Sequence, residues 1–326
     1  MAENIIKHMH TVQKEYLKGF SILENNRYFI WRLDKTTGEI KKLPIKVVAI
    51  ENFFYSQEIE KWLAHEIETS GIAVVKKIIN TESVENLTPS DKIKVAKWII
   101  IQDLRTREYR EQIKQSFEQV GNKLISNKFP ELRLKVSEEL TKDVQMDIMQ
   151  RFEGYAPSIA NYNWCLCVNN TDLHLYTSDH PVIKNNSFIR TLERFTGRRA
   201  SNPGEGYFSK GIELNLPLNP KLLLILADIS PMHDHLNKLP VAENYFLYQT
   251  SPAYKKFYNK MIEWCNKLIK NKKELAEINV VYYNDRITSQ SYQYVLSKYN
   301  DFQMAKECLK RIPEAAKIDR RRWDIR

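Results

Sequence analysis

A chain of 326 residues with 43% apolar residues carries enough nonpolar material for a real core, which excludes a disordered polypeptide. Its longest apolar run, Leu222-Leu223-Leu224-Ile225-Leu226-Ala227, falls far short of the roughly 20 residues that a membrane-spanning helix requires, and reads as a buried strand. The net charge of +10 is gathered at one end: residues 251–326 hold 17 Lys and Arg against 9 Asp and Glu, an excess of 8.

The first residues lack the charged head, apolar middle and small-residue cleavage site of a secretory signal, so a cytoplasmic protein is expected. Residues 11–19 predict a short helix. The aromatic and branched residues at 27–33 predict a strand, 35–38 a turn and 39–48 a returning strand, together a hairpin. Ile59, Trp62, Leu63, Ile67, Ile72, Val75 and Ile78 form a helical stripe over 58–78. Thr88-Pro89-Ser90-Asp91 is a helix start: a hydroxyl cap, a proline at the first helical position and an acid two residues on. The helix it opens runs to Leu104 and is apolar almost all round, as a central buried helix should be. An amphipathic helix carries Tyr109, Ile113, Phe117, Val120 and Leu124, and a third covers 132–152.

Past Gly154 the pattern turns to short strands at 164–168, 173–176, 222–228 and 245–249. Cys165 and Cys167 point to one face of the first; with no second pair at metal spacing they read as packing residues, and four cysteines in so long a chain fit a reducing compartment. Residues 184–210, with Arg190, Arg194, Arg198, Arg199 and Asn202-Pro203-Gly204-Glu205-Gly206, read as a long irregular loop. Helices at 252–273, 286–299 and 301–311 surround a last strand at 278–283. The expectation is a single α+β domain, 1–326, mainly helical with short antiparallel strands. A helical segment at 58–152 is inserted between β-rich parts, and 251–326 forms a basic helical end.

Two remote segments carry a family likeness. His10-Thr11-Val12-Gln13-Lys14-Glu15-Tyr16-Leu17-Lys18-Gly19-Phe20 and Thr177-Ser178-Asp179-His180-Pro181 resemble the signature ends of the domain-of-unknown-function 4238 family, in which His-x-x-Pro-Gln-x-Tyr-Leu-x-x-Phe is followed much later by Ser-Asp-x-Pro. Phe53-Phe54-Tyr55 with Glu68 and Val74-Val75-Lys76-Lys77-Ile78 is similar to a further segment of that family. So are Gln102 with Arg105 and Thr106, the turn Pro217-Leu218-Asn219-Pro220, and the stretch from Asn284 to Tyr294, all in family order. Val12 stands before Gln13 where the family has proline, so the counterpart of the family histidine is His10 or its neighbour His8. The resemblance names no activity; it suggests an effector of a microbial toxin or defence system.

Polar residues in apolar segments need a reason, because an unpaired charge near a core costs several kcal/mol. Arg105 ends the apolar helix, Glu68 lies on the core-facing stripe and Asp179 follows a strand. One reading pairs Glu68 with Arg105 and lets Asp179 cap its own turn. The other gathers His10, Glu68, Arg105 and Asp179 in one cleft as catalytic groups for phosphodiester chemistry. Glu68 and Asp179 would then hold a divalent cation, Mg or Mn, with His10 as base or third ligand and Arg105 as phosphate clamp. Without a metal, His10 would be general base and Arg105 the anion stabiliser. His233-Asp234-His235 offers two histidines but no third ligand nearby. No glycine-rich phosphate loop and no Gly-x-Ser-x-Gly pattern occurs. Arg198, Arg199, Lys272, Lys273, Arg320, Arg321 and Arg322 are candidates for contact with a nucleic-acid backbone. The expected function is therefore a nuclease-like enzyme acting on nucleic acid. The rivals are a non-catalytic module that binds a polyanion or protein through its basic C-terminal quarter, and a hydrolase of a small phosphorylated compound.

Overall fold

The computed structural model describes residues 8–52, 57–126, 129, 131–196, 205–231, 248–320 and 322. In chain order the strands are β1 (His8–His10), β2 (Ile22–Glu24), β3 (Arg27–Asp34), β4 (Ile40–Pro44), β5 (Ile50–Asn52), β6 (Asn163–Asn169), β7 (Thr177–Ser178), β8 (Ile183–Asn185), β9 (Glu213–Asn219), β10 (Leu222–Ala227), β11 (Lys272–Leu275) and β12 (Tyr294–Ser297). The helices are α1 (Lys14–Leu17), α2 (Gln57–Trp62), α3 (Thr69–Thr81), α4 (Pro89–Leu104), α5 (Arg107–Ser126), α6 (Glu138–Phe152), α7 (Ala156–Ala160), α8 (Ser187–Thr196), α9 (Pro252–Ile269), α10 (Glu277–Gln290) and α11 (Gln303–Arg311). The fold is α+β, with α2 to α6 placed between β5 and β6.

The run at 222–227 is apolar throughout because β10 is covered on both faces. It lies at the centre of a sheet of order β11-β6-β10-β9-β8, antiparallel except for β11 beside β6. Alternation divides its side chains between two cores. Leu222, Leu224 and Leu226 join Leu166, Trp98 and Ile99 in the main cluster, while Leu223, Ile225 and Ala227 face Leu275 and Val280. Cys165 and Cys167 sit on this second face, buried, with their sulfurs 3.9 Å apart. A second sheet is built on β3, which pairs with β2, β4 and β12; β12 in turn pairs with β7. A separate ladder of β1 and β5 sets His10 opposite Ile50.

At the start of α4 the Thr88 hydroxyl accepts from the Asp91 amide at 3.1 Å while the Asp91 carboxylate accepts from the Thr88 amide at 3.2 Å, a reciprocal cap. Its buried residues run without a break from Trp98 to Leu104, as expected of a central helix. Helix α3 reaches α4 through Gly71, where a β-carbon would clash with the Trp98 β-carbon. The stretch Leu63–Glu68 between α2 and α3 is a π-helical turn that buries Leu63 and Ile67.

Several local expectations are overturned by tertiary context. Residues 278–283, rich in β-formers, lie in α10: Asn279 caps it by accepting from the Ala276 amide at 3.1 Å, and Val280 and Ile287 bury one face. The helix expected at 286–299 stops at Gln290, because β12 is recruited by β3 and β7. The strand expected at 173–176 is irregular chain leading to β7, held where the Asn284 side chain bonds the Tyr176 amide and the His174 carbonyl. The loop expected at 184–210 opens with β8 and α8, the latter capped by Asn186 accepting from the Ile189 amide at 2.9 Å. β9 replaces part of the turn read at 217–220. The returning strand read at 39–48 is shorter, since β4 gives way to a 3-10 turn over Ile45–Val47. The helix read over 132–152 starts at Glu138. Of the strand read at 245–249, residues 248–249 are helical and 245–247 lie outside the described residues.

Substituting Gly71→Ala is expected to lower stability by about 1–3 kcal/mol through overpacking against Trp98. A melting temperature equal to or above that of the parent would contradict this close approach of α3 and α4.

Candidate functional site

The signature segments are tied to one another by buried polar bonds. The Gln13 amide donates to the Gln102 side chain at 3.1 Å, and the Trp98 indole donates to the Gln13 side-chain oxygen at 2.7 Å. The Tyr16 hydroxyl lies 2.7 Å from the Thr177 hydroxyl and donates to the Pro217 carbonyl at 2.8 Å. Four segments remote in sequence are thus gathered around α4 and β7.

Of the expected catalytic quartet, three members meet. The buried Arg105 guanidinium pairs with Glu68 and donates to the carbonyl of His10. Burial and the nearby Arg105 charge pull the His10 imidazole down to about 4, so it is neutral at physiological pH. A residue not foreseen, Glu60, shares this neighbourhood; burial and Glu68 push its carboxyl up, and one of its oxygens has no hydrogen-bond partner. Glu60 sits one turn before the π-helical segment, and nothing in its sequence position sets it apart from surface acids.

The Asp179 carboxylate serves another purpose. It accepts the backbone amides of Tyr292, Gln293 and Tyr294 at 2.9, 2.8 and 2.8 Å. Burial raises its pKa while these amides and Lys35 pull the other way. The expectation that Glu68 and Asp179 hold a cation meets a different arrangement, because Glu68 is spent on Arg105 and Asp179 on three amides. Among the described residues no three His, Cys, Asp or Glu side chains stand together at metal-holding distance; His233 and His235 lie outside them.

Behind Asp179 a dense polar knot fills the core. Asp103, fully buried on α4, receives Lys184 at 2.9 Å, the Tyr207 hydroxyl, and His180 at 3.3 Å; the other ring nitrogen of His180 lies 2.8 Å from the Thr106 hydroxyl. Burial works against the Asp103 charge, and Lys184 and His180 overcome it, holding its pKa below the ordinary range. Lys184 and Tyr207 share one Asp103 oxygen while the other, facing His180, is left without a hydrogen-bond partner, so the knot braces α4 against β8.

An open hollow of about 210 Å³ lies where the signature segments converge, lined by Thr11, Arg32, Arg107, Asp179, Tyr292 and Tyr294 among others. The Arg32 guanidinium stands 4.3 Å over the Tyr294 ring and Arg107 stands 5.0 Å from the centre of the Tyr292 ring. Among the described residues neither has a carboxylate within ion-pair distance, and the Arg32 Nε donor is buried without an acceptor. Neither arginine stands out in sequence: Arg32 reads as an ordinary strand residue, and Arg107 is set apart only by following Gln102, Arg105 and Thr106.

The basic candidates fare differently. Arg320 and Arg322 turn inward, both pairing with Glu108 at 2.9 Å, and are buried rather than offered to a backbone. Lys272 is exposed and stands 3.5 Å from Glu82. Lys273 is half-buried on β11, beside a hollow of about 430 Å³. Arg198, Arg199 and Arg321 lie outside the described residues.

Two substitutions test these assignments. Asp179→Asn is expected to cost about 2–4 kcal/mol of stability, since an amide cannot accept three N–H groups in its place; unchanged stability would return Asp179 to a purely chemical role. The folded-state pKa of His10 lies below the ordinary 6.5 of a histidine, so between pH 6.5 and about 4 the folded chain binds fewer protons than the unfolded chain. Stability therefore falls as pH drops through that window, and His10→Gln is expected to lessen the fall. Superimposable stability profiles for parent and variant would contradict it.

No helix among the described residues is long and apolar enough to cross a membrane. Neither the curated proteins nor the solved structures hold a match to the chain. The family described as "Protein of unknown function (DUF4238)" matches residues 8–301, and with nine-tenths of its length covered the chain belongs to that family.

Proposed function

We propose that this protein binds nucleic acid in the hollow between Arg32 and Arg107 and acts on it as a nuclease-like enzyme. The observation that carries the reading is the pair of tyrosine-stacked guanidiniums without carboxylate partners among the described residues, one of them with a buried donor left unanswered. A guanidinium laid against an aromatic ring keeps its in-plane N–H groups free for phosphate oxygens. The overall charge of +10 draws polyanions toward such a surface.

The enzymatic half rests on the opposed shifts of His10 and Glu60 around the Arg105–Glu68 pair. A neutral imidazole can take a proton, and a carboxyl that holds its proton to higher pH can give one. An incoming phosphate would raise the imidazole's basicity by its negative charge. Arg105, spent on Glu68 and the His10 carbonyl, anchors these groups rather than clamping substrate.

Fluorescence anisotropy with labelled single-stranded RNA and DNA at graded salt tests the binding. Arg32→Ala and Arg107→Ala are each expected to weaken it about tenfold or more and to lower the salt slope by about 1. Binding equal to the parent in both folded variants would overturn the site. Incubation with and without Mg or Mn then tests cleavage, expected to be lost in His10→Ala and Glu60→Gln; strand scission indifferent to both would remove them from the chemistry.

A further inference from the structure

The loop that carries Tyr292 and Tyr294 into the hollow is gripped from both sides. Its amides at 292, 293 and 294 are held by Asp179. Its carbonyls are held by cations: Ser291 accepts from Lys35 at 2.8 Å and from Arg320 at 2.8 Å, and Tyr292 accepts from Arg320 at 3.3 Å. Arg320 comes from the C-terminal segment, beyond residue 301 where the family match ends.

That segment is fastened to α5 by polar contacts. Glu108 receives Arg320 at 2.9 Å and two nitrogens of Arg322 at 2.9 and 3.1 Å. Gln115 bonds the segment's backbone twice, accepting from the Arg322 amide at 2.9 Å and donating to the Arg320 carbonyl at 3.0 Å. The Arg322 guanidinium also stands 5.6 Å from the centre of the Tyr292 ring, the same ring that Arg107 approaches from the hollow. Beside this fastening a second hollow of about 140 Å³ is lined by Glu108, Gln112, His180, Lys184, Arg320 and Arg322, among others. Among the described residues the segment's ties to α5 are these polar bonds, and the charge pairs with Glu108 are the strongest of them.

We propose that the segment ending at Arg322 is a latch that sets the shape of the Arg32–Arg107 hollow, with Arg320 and Arg322 as positioning residues and Glu108 as the catch. Fastened, Arg320 completes the carbonyl side of the loop and Arg322 braces Tyr292; unfastened, the loop keeps Asp179, Lys35 and the Gln293–Asp34 bond but loses both arginines. Ligand affinity then depends on a part of the chain that does not itself touch the ligand. Its binding consequence rests on the reading of the hollow as a nucleic-acid site, whereas its structural consequence does not.

The test uses the full-length protein and two readouts. Hydrogen exchange at the amides of Tyr292, Gln293 and Tyr294 is compared among parent, Glu108→Gln and Arg322→Gln, the second variant serving if the first does not fold. Exchange is expected to rise about tenfold or more at these amides, with the amides of β10 unchanged. Unchanged exchange at 292–294 in a folded variant would overturn the latch. Anisotropy with a labelled twelve-nucleotide single-stranded RNA follows. The variants are expected to bind about tenfold more weakly with the parent's salt slope, since no phosphate contact is lost. A slope reduced as in Arg107→Ala would make Arg322 a direct contact and overturn its positioning role. If the parent fails to bind the RNA while exchange responds as expected, the nucleic-acid reading falls and the latch stands.

Discussion

One carboxylate accepting three consecutive amides sets the geometry of everything near the candidate site. Residues 292–294 lead from α10 into β12, and their N–H groups point inward; leaving them unmet would cost as much as several lost hydrogen bonds. Asp179 meets all three. In doing so it fastens the Ser-Asp-His-Pro turn to the loop bearing Tyr292 and Tyr294, and so fixes the rings on which Arg107 and Arg32 rest. A side chain that looks catalytic by its motif thus works by shaping the backbone beside it.

The same holds for much of the family signature. Gln13, Tyr16, Gln102 and Thr177 are polar residues in apolar surroundings, and each makes a buried bond to another signature segment or to Pro217. Such bonds are directional, so they specify one arrangement of remote segments where apolar contact alone would permit several. Unmet bonding capacity is found inside the signature, at His10 Nδ1 and Gln102 Nε2, and beside it, at Arg32 and Glu60. The signature builds the frame around the hollow.

The α+β class, the central burial of α4, the cap at Thr88 and the shared face of Cys165 and Cys167 were all legible in sequence, because each depends on local spacing or on apolar content. The identity of 278–283 was not: Val280, Val281, Tyr282 and Tyr283 favour a strand, and only the packing of Val280 and Ile287 against neighbouring elements makes them helical. The meeting of Glu68, Arg105 and His10 could be read from the demand that a core charge be paired. The Asp103 knot could not, since Asp103 sits unmarked in an apolar helix and its partners lie 77 and 81 residues away at His180 and Lys184. Nor could the inward turn of Arg320 and Arg322, which a run of basic residues conceals until Glu108 is placed opposite them.

The claim on which the functional account rests is that Arg32 and Arg107 are donors awaiting a phosphate. Arginine side-chain resonances followed by nuclear magnetic resonance during titration with a short single-stranded oligonucleotide address it directly. The account predicts saturable shifts of the Nε–H signals of Arg32 and Arg107, with the Arg105 signal left in place by its bond to Glu68. Saturable shifts confined to other arginines, with Arg32 and Arg107 silent, would contradict it.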